Sequence, residues 1–231
     1  MYFTCTFAGS TCYSIYTYGS VNPNWEQKAL NFFFPKGFTN KFVDHGIKYE
    51  KTAISAFQTK TSFKVVTPGI IVCKSMPWLA FSPDGVIFKG NMPDSLLEIK
   101  CPYIGKEKGA DHFLGYCEFM EEKNRQAVLK THHRYYGQIQ LGMALMNLRQ
   151  TYLVIYSSQS NNYLQVIVDF NETFARDLIQ NNDGEPHGEE NSQMNEELPQ
   201  GQESQTQEQQ QSVVQEEQDM PEESSRQVRK K

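Results

Sequence analysis

The spacing of apolar residues changes several times over the first 180 positions, and each change marks an element. Residues 25–34 (WEQKALNFFF) predict a short helix stopped by Pro35 and Gly37. Thr39 or Asn40 caps the next predicted helix, which runs to about Gln58. Its residues Val43, Ile47, Ile54 and Phe57 recur at spacings of four, seven and three, one side of a 3.6-residue period. A second stripe, Phe42, Tyr49, Ala53 and Ala56, competes for the buried side. Short β-rich runs follow at 63–66, 69–73, 78–81, 85–88 and 96–101. Pro68-Gly69, Pro83-Asp84-Gly85 and Gly90-Asn91 separate them, as in an antiparallel meander. A polar connection suggests a helix around 110–121, and residues 127–148 carry the strongest helical pattern in the chain. Strands at 151–157 and 163–170 flank a Ser-Asn-Asn turn, and residues 172–179 predict a closing helix. The order of elements gives an α/β fold with its candidate chemistry near the middle of a sheet.

Composition divides the chain at about residue 180. From Asn181 onward Gln, Glu, Ser, Asn and Pro dominate, and large apolar residues such as Met194, Leu198 and Val213 are sparse. Such a segment buries too little apolar surface to offset the entropy of ordering it, so 181–231 is expected to be a disordered acidic tail. The tail holds 13 of the 27 acidic and 4 of the 22 basic residues, so the whole-chain charge of −5 conceals a net +4 over residues 1–180. That balance permits contact with phosphate.

Cys5, Cys12, Cys73, Cys101 and Cys117 form no C-x-x-C pair and no zinc spacing. An odd set of unpaired spacings fits an intracellular compartment, nuclear or cytoplasmic, rather than secretion. No run is long enough to span a membrane, and the opening MYFTCTFAGSTC lacks the basic start of a signal peptide. The closing RQVRKK reads as a solvated terminus or a nuclear address.

In LLEIKCP, alternation along a strand places Glu98 and Lys100 on one face and Leu97, Ile99 and Cys101 on the other. Alone, that is compatible with a solvated edge strand. Ser82-Pro83-Asp84-Gly85, equally plausible as a β-turn, precedes Glu98 by fourteen residues and completes the pattern P-D-x13-E-x-K. Phosphodiester hydrolysis uses Mg²⁺ to neutralise phosphate charge and ready a water, and Mg²⁺ takes one or two carboxylates plus waters. Asp84 and Glu98 are the candidate ligands; Lys100 is the candidate for orienting or deprotonating the water. Glu50 falls within the first stripe of its helix, where a carboxylate is costly unless paired or metal-bound, or at a solvent margin if the second stripe is the buried one. Gln138, in an apolar helix after Tyr135, is either a surface glutamine or a ligand for water or phosphate. His132-His133 reads as a helix-boundary pair, and Tyr13, Tyr16 and Tyr18 as packing residues or base-stacking ones.

The segments G-I-K-Y-E, S-P-D-G, L-L-E-I-K-C-P-Y and Y-Y-G-Q-I-Q, in this order, resemble the YqaJ viral recombinase family of lambda-exonuclease-like enzymes in the PD-(D/E)XK nuclease superfamily. The resemblance covers residues 7–180 and implies a restriction-endonuclease-like mixed central sheet flanked by helices. It implies a DNA nuclease, a 5′-to-3′ exonuclease of recombination or repair, using Mg²⁺ with Mn²⁺ able to substitute. Asp84, Glu98 and the backbone carbonyl of Ile99 would be metal ligands, Lys100 the catalytic lysine, and Glu50 and Gln138 active-site supports. Ser10, Ser82 and Lys106 would match a 5′-phosphate pocket, with lysine standing where the family has arginine. No iron–sulfur cluster is expected, since no cysteine follows Cys117. The family's R-x-T-A-S motif is replaced by Thr6-Phe7-Ala8-Gly9-Ser10, so either the N-terminus is truncated or the pocket is weakened. The alternatives are an endonuclease on the same fold and a non-cutting DNA- or protein-binding module. DNA is the implied partner and a homo-oligomer is compatible with the resemblance; the tail's partner is not legible.

Truncation after Gln180 is expected to leave the melting temperature and catalysis nearly unchanged. A large loss of stability, or dispersed amide resonances from 181–231, would put the boundary elsewhere.

Overall fold

A computed structural model describes residues 7–18, 24–33, 39–77 and 79–180, with side chains from Thr11 onward except at 32 and 33. The expected tail, the Pro35–Gly37 stop and the strand position of Trp78 lie outside the described residues. In chain order the elements are β1 (Phe7–Ala8), α1 (Gly9–Tyr16), α2 (Trp25–Phe33), α3 (Lys41–Thr61), β2 (Lys64–Val66), β3 (Ile71–Val72), β4 (Leu79–Phe81), β5 (Gly85–Lys89) and β6 (Met92–Lys100). After a 3₁₀ turn (Tyr103–Lys106) come α4 (Phe113–Tyr116), β7 (Met120–Lys123), β8 (Gln126–Leu129), α5 (Arg134–Met146), β9 (Gln150–Ser157), β10 (Asn162–Asp169) and α6 (Glu172–Gln180).

The main sheet runs β10-β9-β6-β5-β2. Its β6–β9 pair is parallel and the other pairs antiparallel, so the sheet is mixed. β6 is central because both its faces are covered. Leu96 packs with Ile139 and Met143 of α5 on one side, while Leu97 and Ile99 pack with Ala53 and Phe57 of α3 on the other. Each of these buried leucine, isoleucine, methionine and phenylalanine side chains contributes about 1.5–3 kcal/mol. The expected meander is corrected in one respect. β2 pairs with β5, while β3 and β4 leave for a smaller sheet ordered β1-β4-β3, because the 69–73 run contracts to two residues with Ile70 and Val72 exposed.

Asn40, not Thr39, caps α3, its side chain accepting from the amides of Phe42 and Val43 at 3.0 and 2.9 Å. The buried side of α3 draws on both stripes, Ala53 from the second and Phe57 from the first, while Phe42 of the second is 36% exposed. Ala53 and Phe57 are fully buried, whereas Val43 and Ile47 are 39% and 70% exposed. The chain's strongest helical pattern, 127–148, is corrected more sharply. Residues 120–129 form a hairpin whose turn residues Asn124 and Arg125 both have positive φ (53° and 63°). That geometry matches the twist of the flanking strands, but Lys-Asn-Arg-Gln lacks the glycine that announces it, and Gln-Ala-Val-Leu suits a strand as well as a helix. The helix expected near 110–121 reduces to a 3₁₀ turn at Ala110–His112 running into α4.

Two polar staples fix the frame. Gln140, fully buried, donates to the Asp169 carbonyl at 2.9 Å and accepts from the Asn171 amide at 2.7 Å, tying α5 to the β10–α6 junction. The carbonyl of Gly105 accepts from the Gln159 amide (2.8 Å) and from Ser157 Oγ (3.1 Å), locking the turn after β6 onto the end of β9. A Cβ at Gly105 would lie 2.9 Å from the Tyr156 carbonyl oxygen and 3.1 Å from Ser157 Cα, both backbone atoms. Gly105→Ala is therefore expected to cost about 1–3 kcal/mol of stability, read by urea denaturation. An unchanged midpoint would mean that the turn is free to shift.

Candidate active site

The spacing P-D-x13-E-x-K is the register of one hairpin. β5 and β6 are antiparallel, with Gly85 opposite Leu97 as the last paired residues. One step further, Asp84 stands opposite Glu98, beyond the end of the ladder. The Ile99 amide is then free to donate to Asp84 Oδ2, at 2.7 Å. Strand alternation puts Glu98 and Lys100 on the α5 side of β6. There Lys100 Nζ lies 2.5 Å from Glu98 Oε1, and Gln138 Nε2 donates to the same oxygen at 2.8 Å. Gln138 is thus brought to Glu98 from forty residues away in sequence, and the surface-glutamine alternative does not hold. Glu98 is only 2% exposed.

Electrostatics join Glu50 to the group. Burial raises its pKa first, and repulsion from Asp84 raises it further. Burial likewise raises Asp84, against the opposing pull of Lys100 and the Ile99 amide. Burial pushes Glu98 up to about 7, with Lys100 opposing and Asp84 and Glu50 adding repulsion. For Lys100, burial works against the charge, but the carboxylates of Glu98 and Asp84 outweigh it and hold the ammonium above its usual pKa. Asp84 and Glu98 therefore share the Lys100 ammonium in a region largely shielded from water, with half-buried Glu50 at its margin, where exposed Lys51 also acts on it. Among the described residues, no three His, Cys, Asp or Glu side chains converge as a ready-made metal cage. Glu50 senses the others through its field and makes no hydrogen bond to them.

One contributor was not singled out by sequence reasoning. The Tyr135 ring lies under Lys100, with Nζ 4.5 Å from the ring centre. Phe119 and His133 meet that ring edge-on, at 5.1 and 4.6 Å between centres. Tyr135 stands within the Y-Y-G-Q-I-Q segment, three residues before Gln138, so one turn of helix carries both. His133 caps α5, its Nδ1 accepting from the Tyr135 amide at 3.2 Å, and His132 is exposed. Tyr13 packs on Gly137, Tyr16 on Phe174 and Tyr18 on Trp25, so these tyrosines serve packing.

The residues matched to a phosphate pocket lie on three separate segments. Ser82 is exposed between β4 and Asp84. Lys106 is exposed at the end of its 3₁₀ turn, with Nζ 3.5 Å from the Tyr103 hydroxyl. Ser10 lies in α1, its side chain outside the described set, and Thr6 is outside it altogether.

Fold and site together define a nuclease-type PD-(D/E)XK architecture: a mixed sheet whose central hairpin presents an aspartate, a glutamate and a lysine. The chain belongs to the YqaJ-like viral recombinase domain family, whose model matches residues 17–149. Solved structures share the fold. The alkaline exonuclease LHK-Exo of Laribacter hongkongensis is 16% identical with a TM-score of 0.57, covering 77% of this chain and 84% of its own. The same exonuclease in complex with dAMP gives a TM-score of 0.58 at 16% identity and the same coverage. A phage-related exonuclease from Haemophilus somnus 129PT is 13% identical with a TM-score of 0.50, over 76% of this chain and 89% of its own. No curated protein sequence matches the chain.

The shifted pKa values give a pH signature. Glu98, raised to about 7 from 4.5, contributes stability that is complete below pH 4.5 and lost as pH rises through 7. Asp84 and Glu50, also raised, carry the same sign. His133 has the opposite sign. Burial, then Arg134, lowers it to about 4 from 6.5, so its contribution is present above pH 6.5 and lost as pH falls through 4. Without divalent cations, the melting temperature should rise as pH falls from 8 to about 6.5, then flatten as the two contributions oppose. His133→Asn, which retains an acceptor for the Tyr135 amide, should extend the rise to lower pH. A melting temperature that falls steadily from pH 8 to 6.5 would contradict this ordering.

Proposed function

We propose that the protein is a divalent-metal-dependent DNA nuclease and acts as a 5′-to-3′ exonuclease of the kind used in DNA recombination and repair. The observation that carries this reading is the imbalance of charge at the end of the β5–β6 hairpin. Asp84, Glu98 and Glu50 all have raised pKa values around the Lys100 ammonium, and for Glu50 the rise persists despite Lys51 beside it. Carboxylates that repel one another in a dry site are stabilised by a cation, and an oxygen-rich set with room for waters suits Mg²⁺, with Mn²⁺ as substitute. Asp84 and Glu98, with the Ile99 carbonyl, would hold it. Bound there, the metal would neutralise phosphate charge and lower the pKa of a water.

The chain's own groups supply the rest. Lys100, kept charged by its carboxylate neighbours, orients the attacking water and offsets the negative charge that builds on the phosphate. Gln138 fixes the free rotation of the Glu98 carboxylate through its 2.8 Å hydrogen bond. Glu50 adds a third negative group on the α3 side. Family membership and the exonuclease relatives support DNA as the substrate. Lys106, with Ser10 and Ser82, is assigned to gripping a terminal 5′-phosphate, weakly because lysine offers a point charge where arginine offers a fork.

The test is digestion of end-labelled linear, nicked and circular DNA with Mg²⁺ or EDTA. Cutting of linear DNA alone, abolished by EDTA, is expected. Circular DNA cut equally well would replace the exonuclease assignment with an endonuclease one. Asp84→Asn, Glu98→Gln and Lys100→Ala should each remove most of the rate without adding to one another, circular dichroism confirming the fold. Mg²⁺ should raise the melting temperature of the unaltered chain at pH 8 and lose that effect in Glu98→Gln. Lys106→Ala should erase any preference for 5′-phosphate over 5′-hydroxyl ends, a preference no larger than about ten- to a hundredfold for one charged hydrogen bond.

A further inference from the structure

We propose that Tyr135 is a positioning residue for the reaction: its ring holds the ammonium of Lys100 in place beside Glu98. The inference rests on the nuclease reading above for its catalytic consequence, but the contact itself belongs to the fold. Lys100 reaches its position along a four-carbon stem with several free rotations, and a charge that must sit at one point needs more than one restraint. Its first restraint is Glu98 Oε1, 2.5 Å away. That oxygen also accepts from Gln138 at 2.8 Å, and under the proposed function the same carboxylate ligates a cation. Glu98 is therefore shared among several partners. The Tyr135 face, 4.5 Å from Nζ, gives Lys100 a restraint that competes with none of them.

The ring is built to stay where it is. Tyr135 lies in the first turn of α5, and its amide is capped by His133 Nδ1. His133 and Phe119 close on its edges from two directions, and Phe119 is itself buried. The Arg134 guanidinium lies 5.3 Å from the ring centre, a second cation drawn to the same aromatic electrons. Phe119 immediately precedes the β7–β8 hairpin and His133 follows it, so this hairpin, whose ends the sequence pattern had assigned to helix, frames the support under the lysine. A cation over a ring in a largely desolvated place is attracted by the ring face, and a phenylalanine offers the same face without the hydroxyl.

The experiment compares the full chain with Tyr135→Phe and Tyr135→Leu. In cation-free protein carrying ¹³C at the lysine ε-position, the Lys100 ε-protons, assigned by their loss in Lys100→Arg, should be displaced upfield by the ring current. The displacement should persist in Tyr135→Phe and collapse onto the exposed lysines in Tyr135→Leu. In the digestion assay with Mg²⁺, Tyr135→Leu should lower kcat about tenfold or more, the scale of one desolvated cation–ring contact, with KM within about twofold. Tyr135→Phe should retain most of the rate. An undisplaced Lys100 resonance in the unaltered chain would overturn the proposal, even if the leucine variant failed to fold. So would a phenylalanine variant as slow as the leucine one, or an effect confined to KM. If the unaltered chain cuts no DNA while Lys100 shows its ring-current shift, the nuclease reading fails and the contact stands.

Discussion

The burial of Glu98 is the constraint around which the rest of this structure is arranged. A carboxylate taken from water costs several kcal/mol unless its oxygens are satisfied, and Glu98 sits 2% exposed in the central strand of the main sheet. Its two hydrogen-bond donors arrive by different routes. Lys100 comes from the same strand, two residues on, and Gln138 from α5 across the sheet face. The strand must therefore stay extended through Lys100, and α5 must be held at one height and rotation. Gln140, two residues beyond Gln138, performs that second task through its hydrogen bonds to the end of β10 and the start of α6. The two glutamines of Q-I-Q thus divide the work, one serving the candidate site and one fixing the helix that carries it.

Even with both donors on Oε1, Glu98 is not at rest as an anion, because burial disfavours its charge and Asp84 and Glu50 add repulsion. A structure selected for stability alone would have a hydrocarbon at one of these positions. Keeping three carboxyls this close makes the protein less stable at alkaline pH than it need be, and perturbed carboxyls gathered in this way are a mark of functional sites. The frame for this strain is large. α3 and α5 grip opposite faces of the hairpin, so the polar cluster hangs on two separate hydrophobic clusters rather than on a loop. The family match ends at residue 149, yet β9, β10 and α6 beyond it supply the parallel neighbour of β6 and the anchor for Gln140.

The sequence by itself determined the chemistry of β6 and much of its setting. Alternation along LLEIKC separates Glu98 and Lys100 from Leu97 and Ile99 whatever the rest of the chain does, since backbone geometry imposes a period of two. The fourteen-residue interval to Asp84 was equally informative, because it equals the register of a hairpin. Tertiary structure alone decided matters that local periodicity leaves degenerate. α3 carries two apolar stripes, and packing against β6 took Ala53 from one and Phe57 from the other while leaving Val43 and Ile47 exposed. Residues 120–129 suit helix and strand alike, and a hairpin was selected there by contacts remote in sequence. The place of Tyr135 under Lys100, and the raised pKa values of Glu50, Asp84 and Glu98, were likewise beyond the sequence. Burial and electrostatic coupling depend on distances between segments dozens of residues apart, and those distances exist only once the chain has folded.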